Sequence, residues 1–311
     1  MIQRTNQSDM EPALLSARSK HFHSLLPAYL ALGVAILCLG FSAIFVRLAR
    51  APGIVTSFYR MAVAVILMAG PFYRRFRRNG GLPRSGLQLA IVGGLFFAGD
   101  LALWATGVVM AGATNPTLLA NTAPLWVGLG AMVFFREKLN ALFWSGLLLA
   151  LGGATLVLGL DTLRAATFGL GSLLGLLAAF FYGAYFLITQ RGRETLDSLT
   201  YFWPSAVSAS FALLVLSLVL HQPLVGYRTF TYLNFLAIGV VSQVLGYLAI
   251  NYAIGHLPAS LVSPTMLGQP VITALLAVPL LGEALTPGQI LGGLAVLIGV
   301  SIVHRSRQGP A

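Results

Sequence analysis

Asp100 is a carboxylate set in the middle of an apolar run, GGLFFAGDLALWATG, from Gly93 to Gly107. A charge at the centre of a membrane helix costs about 2.5–3.5 kcal/mol on insertion scales, so such a group faces protein or a water-filled cavity. There it could meet a substrate ammonium, carry a proton, or hydrogen-bond a neighbouring helix. Trp104 follows one turn later on the same face. It either lines a cavity and stacks on a ligand, or anchors the helix end at the lipid interface. A second polar stripe, Gln243, Tyr247 and Asn251, recurs every fourth residue in another apolar run. Thr117 and Asn121 form a third, and Thr265, Gln269 and Thr273 a fourth. Ser42, Tyr182 and Tyr185 are further candidates. Polar faces inside apolar helices turn inward, either around a common cavity or as interhelical hydrogen bonds.

The elements that carry these residues are membrane helices. Hydrophobic residues make up 57% of the chain and charged residues 9%; soluble domains carry about 25% charged residues. Mean hydropathy is +0.85. Cys38 is the single cysteine, which excludes an internal disulfide framework; within an apolar run it reads as a buried thiol. The net charge of +11 sits in the loops, as expected for contact with an anionic leaflet rather than nucleic acid.

Apolar runs predict an all-α integral membrane protein of ten transmembrane helices. Helix 1 covers about 27–46, helix 2 54–73, helix 3 87–110, helix 4 115–135 and helix 5 141–160. Helix 6 covers about 169–189, helix 7 199–220 and helix 8 232–254. Helices 9 and 10 lie within 257–303, either side of the turn Gly282–Pro287. There Thr286 is placed to cap helix 10, Pro287 sits at its first position, and Glu283 lies near its positive end. Residues 1–26 read as a cytoplasmic tail without a cleavable leader, and 305–311 as a second tail.

The chain is duplicated. Subtracting 146 from Pro270, Glu283, Leu285, Gly292 and Gly299 gives Pro124, Glu137, Leu139, Gly146 and Gly153. At a shift of 147, Asp100 falls on Tyr247 and Trp104 on Asn251. The halves are 27–160 and 169–304. Five helices per half force opposite orientations, an inverted repeat. Pro124 and Pro270 interrupt equivalent helices and serve either as hinges or as fixed kinks. Fourteen Lys and Arg lie on the side of the termini and four on the other, with Arg60 inside helix 2. The excess puts both termini in the cytoplasm. Arg60, two turns from the outer end, is expected to snorkel. Glu137 and Glu283 are expected to cap helices 5 and 10. Gly171, Gly175, Ala179 and Gly183, and Gly288 with Gly292, form seams for close packing.

The turn LGEALTPGQILGGLAVLIGV resembles the end of the EamA-type repeat of the drug/metabolite transporter superfamily, and SFYRMAVA is similar to that family's second-helix signature. Within the superfamily the chain looks most like YddG-type bacterial exporters of aromatic and other neutral amino acids. The resemblance implies a multi-pass protein of the bacterial inner membrane with a central cavity. It places Ser42, Trp104, Tyr182, Tyr185, Tyr247 and Asn251 near substrate. The family's frequent Trp-Gly in helix 1 is replaced here by Leu39-Gly40.

One carboxylate among aromatics and amides suits neutral or zwitterionic small molecules moved by alternating access. Phosphorylated sugars would require several interior cations. A lipophilic-cation exporter is the alternative. A membrane enzyme is a remote one: Ala98-Gly99-Asp100 faintly resembles an intramembrane aspartyl protease motif, but no second mid-span Asp is present to share its proton. A passive channel would show fluxes far above carrier rates and no exchange, and a scaffold needs no paired polar cavity. No metal or cofactor is expected, and the partners are a small-molecule substrate and lipid. One chain suffices to form the cavity.

Overall fold

The computed structural model describes residues 7–111, 114–159, 169–282 and 284–307. The link Asp161–Phe168 and Glu283 lie outside the described residues, so the expected cap from Glu283 does too. Ten helices are long and apolar enough to cross a membrane. They are α1 (Leu25–Val46), α2 (Gly53–Arg78), α3 (Arg84–Gly107), α4 (Pro116–Phe134), α5 (Ala141–Leu158), α6 (Leu170–Arg193), α7 (Ser198–Val219), α8 (Thr229–Ile254), α9 (Ala259–Leu280) and α10 (Pro287–Ser306). No strand occurs among the described residues. The helix that contains α1 begins at Gln7, well before the expected start. α2 and α6 each overrun their expected ends by about a turn, through Arg75, Arg77 and Arg78 and through Arg191 and Arg193. Basic side chains favour a helix C-terminus and reach the interface from it, so charge did not end these helices.

Three helices are irregular. α4 is split into Thr114–Ala120 and Ala123–Phe134, and α9 into Ala259–Thr265 and Gly268–Leu281. Each break falls about a turn before the repeat-related proline, not at it. Pro124 and Pro270 have no N–H for the carbonyls of Ala120 and Met266, so the ladder opens there. The prolines themselves sit in the first turn of the second segment. α8 widens to π-helical geometry over Ile238–Gly246 before resuming at Tyr247.

The glycine seams locate two tight contacts. A Cβ on Gly175 would lie 2.5 Å from Pro116 Cα, so α6 and α4 touch backbone to backbone. Gly146 meets the carbonyl of Gly299, and Gly153 that of Gly292, so α5 and α10 run antiparallel. The same four glycines are related by the duplication. Gly288, in contrast, stands in open space apart from Thr286; it is not part of this seam, which runs through Gly292 and Gly299 instead. Thr286 caps α10 reciprocally with Gln289. α5 is capped by Asn140, whose side chain accepts from the Phe143 N–H. Glu137, the expected cap, points elsewhere.

Candidate functional site

A cavity of about 400 Å³ enters the bundle from the end opposite the C-terminus, where α5 finishes and α10 begins. Its wall takes one polar residue or more from most helices around it: Ser42 from α1, Arg60 from α2, Trp104 from α3, Thr117 and Asn121 from α4, and Gln269 with Thr273 from α9. The irregular segments explain the placement. Asn121 stands at the break in α4, and Gln269 and Pro270 open the second segment of α9. The Trp104 indole N–H donates to Thr117 Oγ1 at 3.0 Å. That bond turns the ring inward to the cavity and away from a lipid-anchoring position. Thr273 Oγ1 donates to the Gly40 carbonyl at 2.9 Å, fixing α9 against α1.

Beneath the cavity lies a packed layer of aromatic and amide side chains. Phe97 lies among Tyr182, Tyr185 and Tyr247, with ring centroids 4.6 Å from Tyr247 and 4.7 Å from Tyr185. The Tyr247 hydroxyl donates to that of Tyr182 at 3.3 Å. Asn251 Nδ2 donates to the Tyr185 hydroxyl at 3.2 Å and to the Tyr247 carbonyl at 2.8 Å. The expected stripe on α8 therefore divides. Tyr247 and Asn251 reach α6, whereas Gln243, inside the π-helical stretch, reaches α2. The guanidinium that Gln243 meets also lies over the Tyr247 ring, so the two residues stay neighbours on α8 while their hydrogen-bond partners differ.

Gln243 Oε1 accepts from Arg60 Nε at 2.8 Å. Arg60 is 6% exposed, and its Cζ lies 5.7 Å from the Tyr247 ring centroid. It does not snorkel. Its face of α2 packs on α8, so the guanidinium points inward between cavity and layer. The insertion cost that singles out Asp100 applies equally to an arginine eight residues into a helix, and would have found it. Gln289 at the cavity rim was also missed, because its role in the α10 cap accounts for it locally.

Asp100 is buried at 8% exposure, behind the wall rather than on it. It interacts electrostatically with Arg60 and Tyr182, but no hydrogen bond or ion pair within 4 Å joins it to Arg60. Tyr185, Gln243 and Asn251 are likewise fully buried. Of the ten expected cavity residues, Ser42, Trp104, Asn121 and Gln269 line the open space. Asp100, Tyr182, Tyr185, Gln243, Tyr247 and Asn251 form or adjoin the layer below. Asn121 Nδ2, Gln243 Nε2 and Asn251 Oδ1 have no protein partner among the described residues, and buried polar groups of this kind are met by water or ligand.

The far end is tied by bonds that are mostly between helices. Arg193 Nε donates to the Asn251 carbonyl at 2.8 Å and its Nη1 to that of Leu196. The Ala259 N–H donates to Gln190 Oε1 at 2.6 Å. Glu137 accepts from Ser260 Oγ at 2.6 Å and pairs with Arg307 at 2.8 Å. Thr265 Oγ1 and His304 Nε2 lie 2.8 Å apart.

Comparison with known proteins fits this architecture. The chain is 26% identical over 257 residues to the pseudopaline exporter CntI of Pseudomonas aeruginosa, covering 81% of this chain and 86% of that protein. It is 26% identical over 256 residues to a probable terminal-alkyne amino-acid exporter of Streptantibioticus cattleyicolor, covering 80% and 82%. A solved crystal structure shares the fold with a TM-score of 0.74 at 17% identity, over 90% of this chain and 98% of that one. The model of the EamA-like transporter family matches twice, at residues 26–159 and 169–305. The chain is a multi-pass membrane transporter of small metabolites, not an enzyme, and it belongs to the EamA-like transporter family.

Proposed function

We propose that this chain exports neutral amino acids with aromatic or other apolar side chains, and related small metabolites, by alternating access across a bacterial inner membrane. The observation that carries the reading is the cavity itself. It is open at one end, walled by Trp104, amides and hydroxyls, and floored by a tied aromatic layer. Such a wall suits a small zwitterion with an apolar side chain. Both relatives are named as exporters, and the name of one, a probable terminal-alkyne amino-acid exporter, points to amino acids.

The two halves rock as inverted repeats about this cavity. The reciprocal contacts Gly146–Gly299 and Gly153–Gly292 support the inversion, since equivalent helices meet antiparallel across an apparent two-fold axis. With both termini cytoplasmic, the open end faces outward and the tied end faces the cytoplasm. Among the described residues one arginine, Arg60, lines the cavity, too little for a sugar phosphate. It also disfavours a lipophilic cation, which would have to approach a guanidinium at the wall. The test is flux of labelled Phe, Met, Leu and a lipophilic cation in proteoliposomes holding this protein alone. Saturable amino-acid flux slowed by unlabelled competitors is expected. Flux of the cation alone would replace this reading with multidrug export.

A further inference from the structure

Arg60 has a binding capacity that its protein contacts leave unused. A guanidinium carries five N–H donors in a planar fork. Gln243 takes the Nε–H, and Tyr247 lies beside the group. The Tyr247 hydroxyl is a polar neighbour of the guanidinium, but among the described residues no well-aligned hydrogen bond engages Nη1 or Nη2, although the residue is only 6% exposed. A buried cation with unmet donors is costly to hold. Here the group reaches the cavity wall, and Asp100, the carboxylate near it among the described residues, stays beyond ion-pair distance. Asp100 offsets the charge without occupying the fork.

We infer that Arg60 is the carboxylate anchor of the transport site, binding the substrate's carboxylate through its two Nη groups. The geometry is that of a fork waiting for two parallel acceptors. Gln243, itself held in the π-helical stretch of α8, fixes the Nε side and so aims the Nη side at the cavity. A bound α-amino acid would then place its carboxylate at the floor, its side chain along Trp104, and its ammonium near the oxygens of Asn121 and Gln269. The anchor also couples the halves, since a guanidinium on α2 held by α8 senses occupancy from both. This assignment rests on the amino-acid reading above, but the recognised group is the carboxylate, so any small monocarboxylate with an apolar tail belongs to the same class.

Two measurements on the whole protein separate the possibilities. In detergent, ligand-induced thermal stabilisation is compared for L-Phe, 3-phenylpropanoate, Phe methyl ester and phenethylamine. In proteoliposomes, the same compounds compete with labelled Phe. The carboxylate-bearing pair is expected to bind at least about tenfold more tightly than the ester and amine, the scale of a charge-assisted bidentate contact. Arg60→Gln is expected to abolish that preference, leaving the four within about twofold; Arg60→Lys should keep part of it, because charge remains but the fork does not. An arginine that only joins α2 to α8 would weaken all four equally. Equal binding of amine and acid by the native protein overturns the anchor while leaving amino-acid export in place. Carboxylate-selective, Arg60-dependent binding without Phe flux leaves the anchor standing and removes the amino-acid reading. If Arg60→Gln fails to fold, the native selectivity series and Arg60→Lys still decide.

Discussion

The hollow and tied ends of the central pathway use the same side-chain types to opposite effect. At the hollow end Asn121, Gln269 and Gln289 border open space. At the tied end Asn251, Gln190 and Glu137 are each engaged by another helix. Composition does not separate the two; pairing does. At the tied end the Glu137 contacts with Ser260 and Arg307 join the two halves, while those of Arg193, Gln190 and Thr265 brace the second half; the open end keeps the Thr273–Gly40 contact but leaves Asn121 and Gln269 bordering space that can receive a ligand. A transporter working by alternating access must exchange these roles, so the ties have to be strong enough to define an end and weak enough to break.

The largest expected effect comes from cutting the Glu137 tie. Glu137→Gln removes the pairing with Arg307, whose side chain is 23% exposed, and weakens acceptance from Ser260. A partly buried pair broken on one side costs roughly 2 kcal/mol, below the range for full burial. That corresponds to a shift of about thirtyfold toward opening of the tied end. The measurement is alkylation of Ser263→Cys, a buried site on α9, by a hydrophilic maleimide in a Cys38→Ser background. Labelling should accelerate in the Glu137→Gln protein. An unchanged rate would mean that the contacts of Arg193 and Gln190 hold this end without Glu137.

This tie also shows where reading the chain in order stops. The ten spans, the duplication and the inward polar faces follow from hydropathy and spacing, because each is local or repeats locally. Glu137 and Arg307 stand 170 residues apart, 307 less 137, and nothing near either announces the other. Locally, Glu137 looks like a helix cap, yet Asn140 takes that place. Arg60 was misplaced for a related reason. Its distance from the helix end suggested an escape to water, whereas the packing of α2 on α8 decides where the side chain goes. The π-helical stretch was equally invisible: VVSQVLGY has ordinary helical propensities, and the wider turn depends on its tertiary setting. Asp100 was rightly sought in the interior, but geometry sets it behind the wall while Arg60 stands on it.

The hollow end is probed by Trp104→Ala. Removing the indole takes an aromatic surface from the wall and leaves Thr117 without its donor. Aromatic contacts contribute about 0.5–1.5 kcal/mol beyond buried area, so KM for Phe should rise roughly two- to twelvefold. Leu should change by no more than about twofold, because it lacks a ring to stack. Transport kinetics in proteoliposomes for the two substrates give the ratio. An equal loss for both would make Trp104 a packing element of the wall, and the contrast between the ends would then rest on the ties alone.

The smallest effect tests whether the outermost contact of the tied end behaves as a tie at all. Asp197 precedes α7, accepts from the N–H groups of Leu199 and Thr200, and pairs with Arg75 of α2 at 2.8 Å. Burial pushes its carboxyl up, but the Thr200 N–H and the Arg75 guanidinium outweigh that and hold it below the usual carboxylate range. A depressed value stabilises the folded protein above the unfolded pKa of about 3.9, and that stability is lost as pH falls through the folded value. Asp197→Asn keeps a competent cap and removes the charge. Its Tm at pH 7 should fall by no more than about 2 °C, as befits an exposed pair, and the acid-side decline in Tm should flatten. KM for Phe should not move, since the contact lies far from the cavity wall. A steep acid decline persisting in Asp197→Asn would mean that the Asp197–Arg75 contact does not carry that sensitivity.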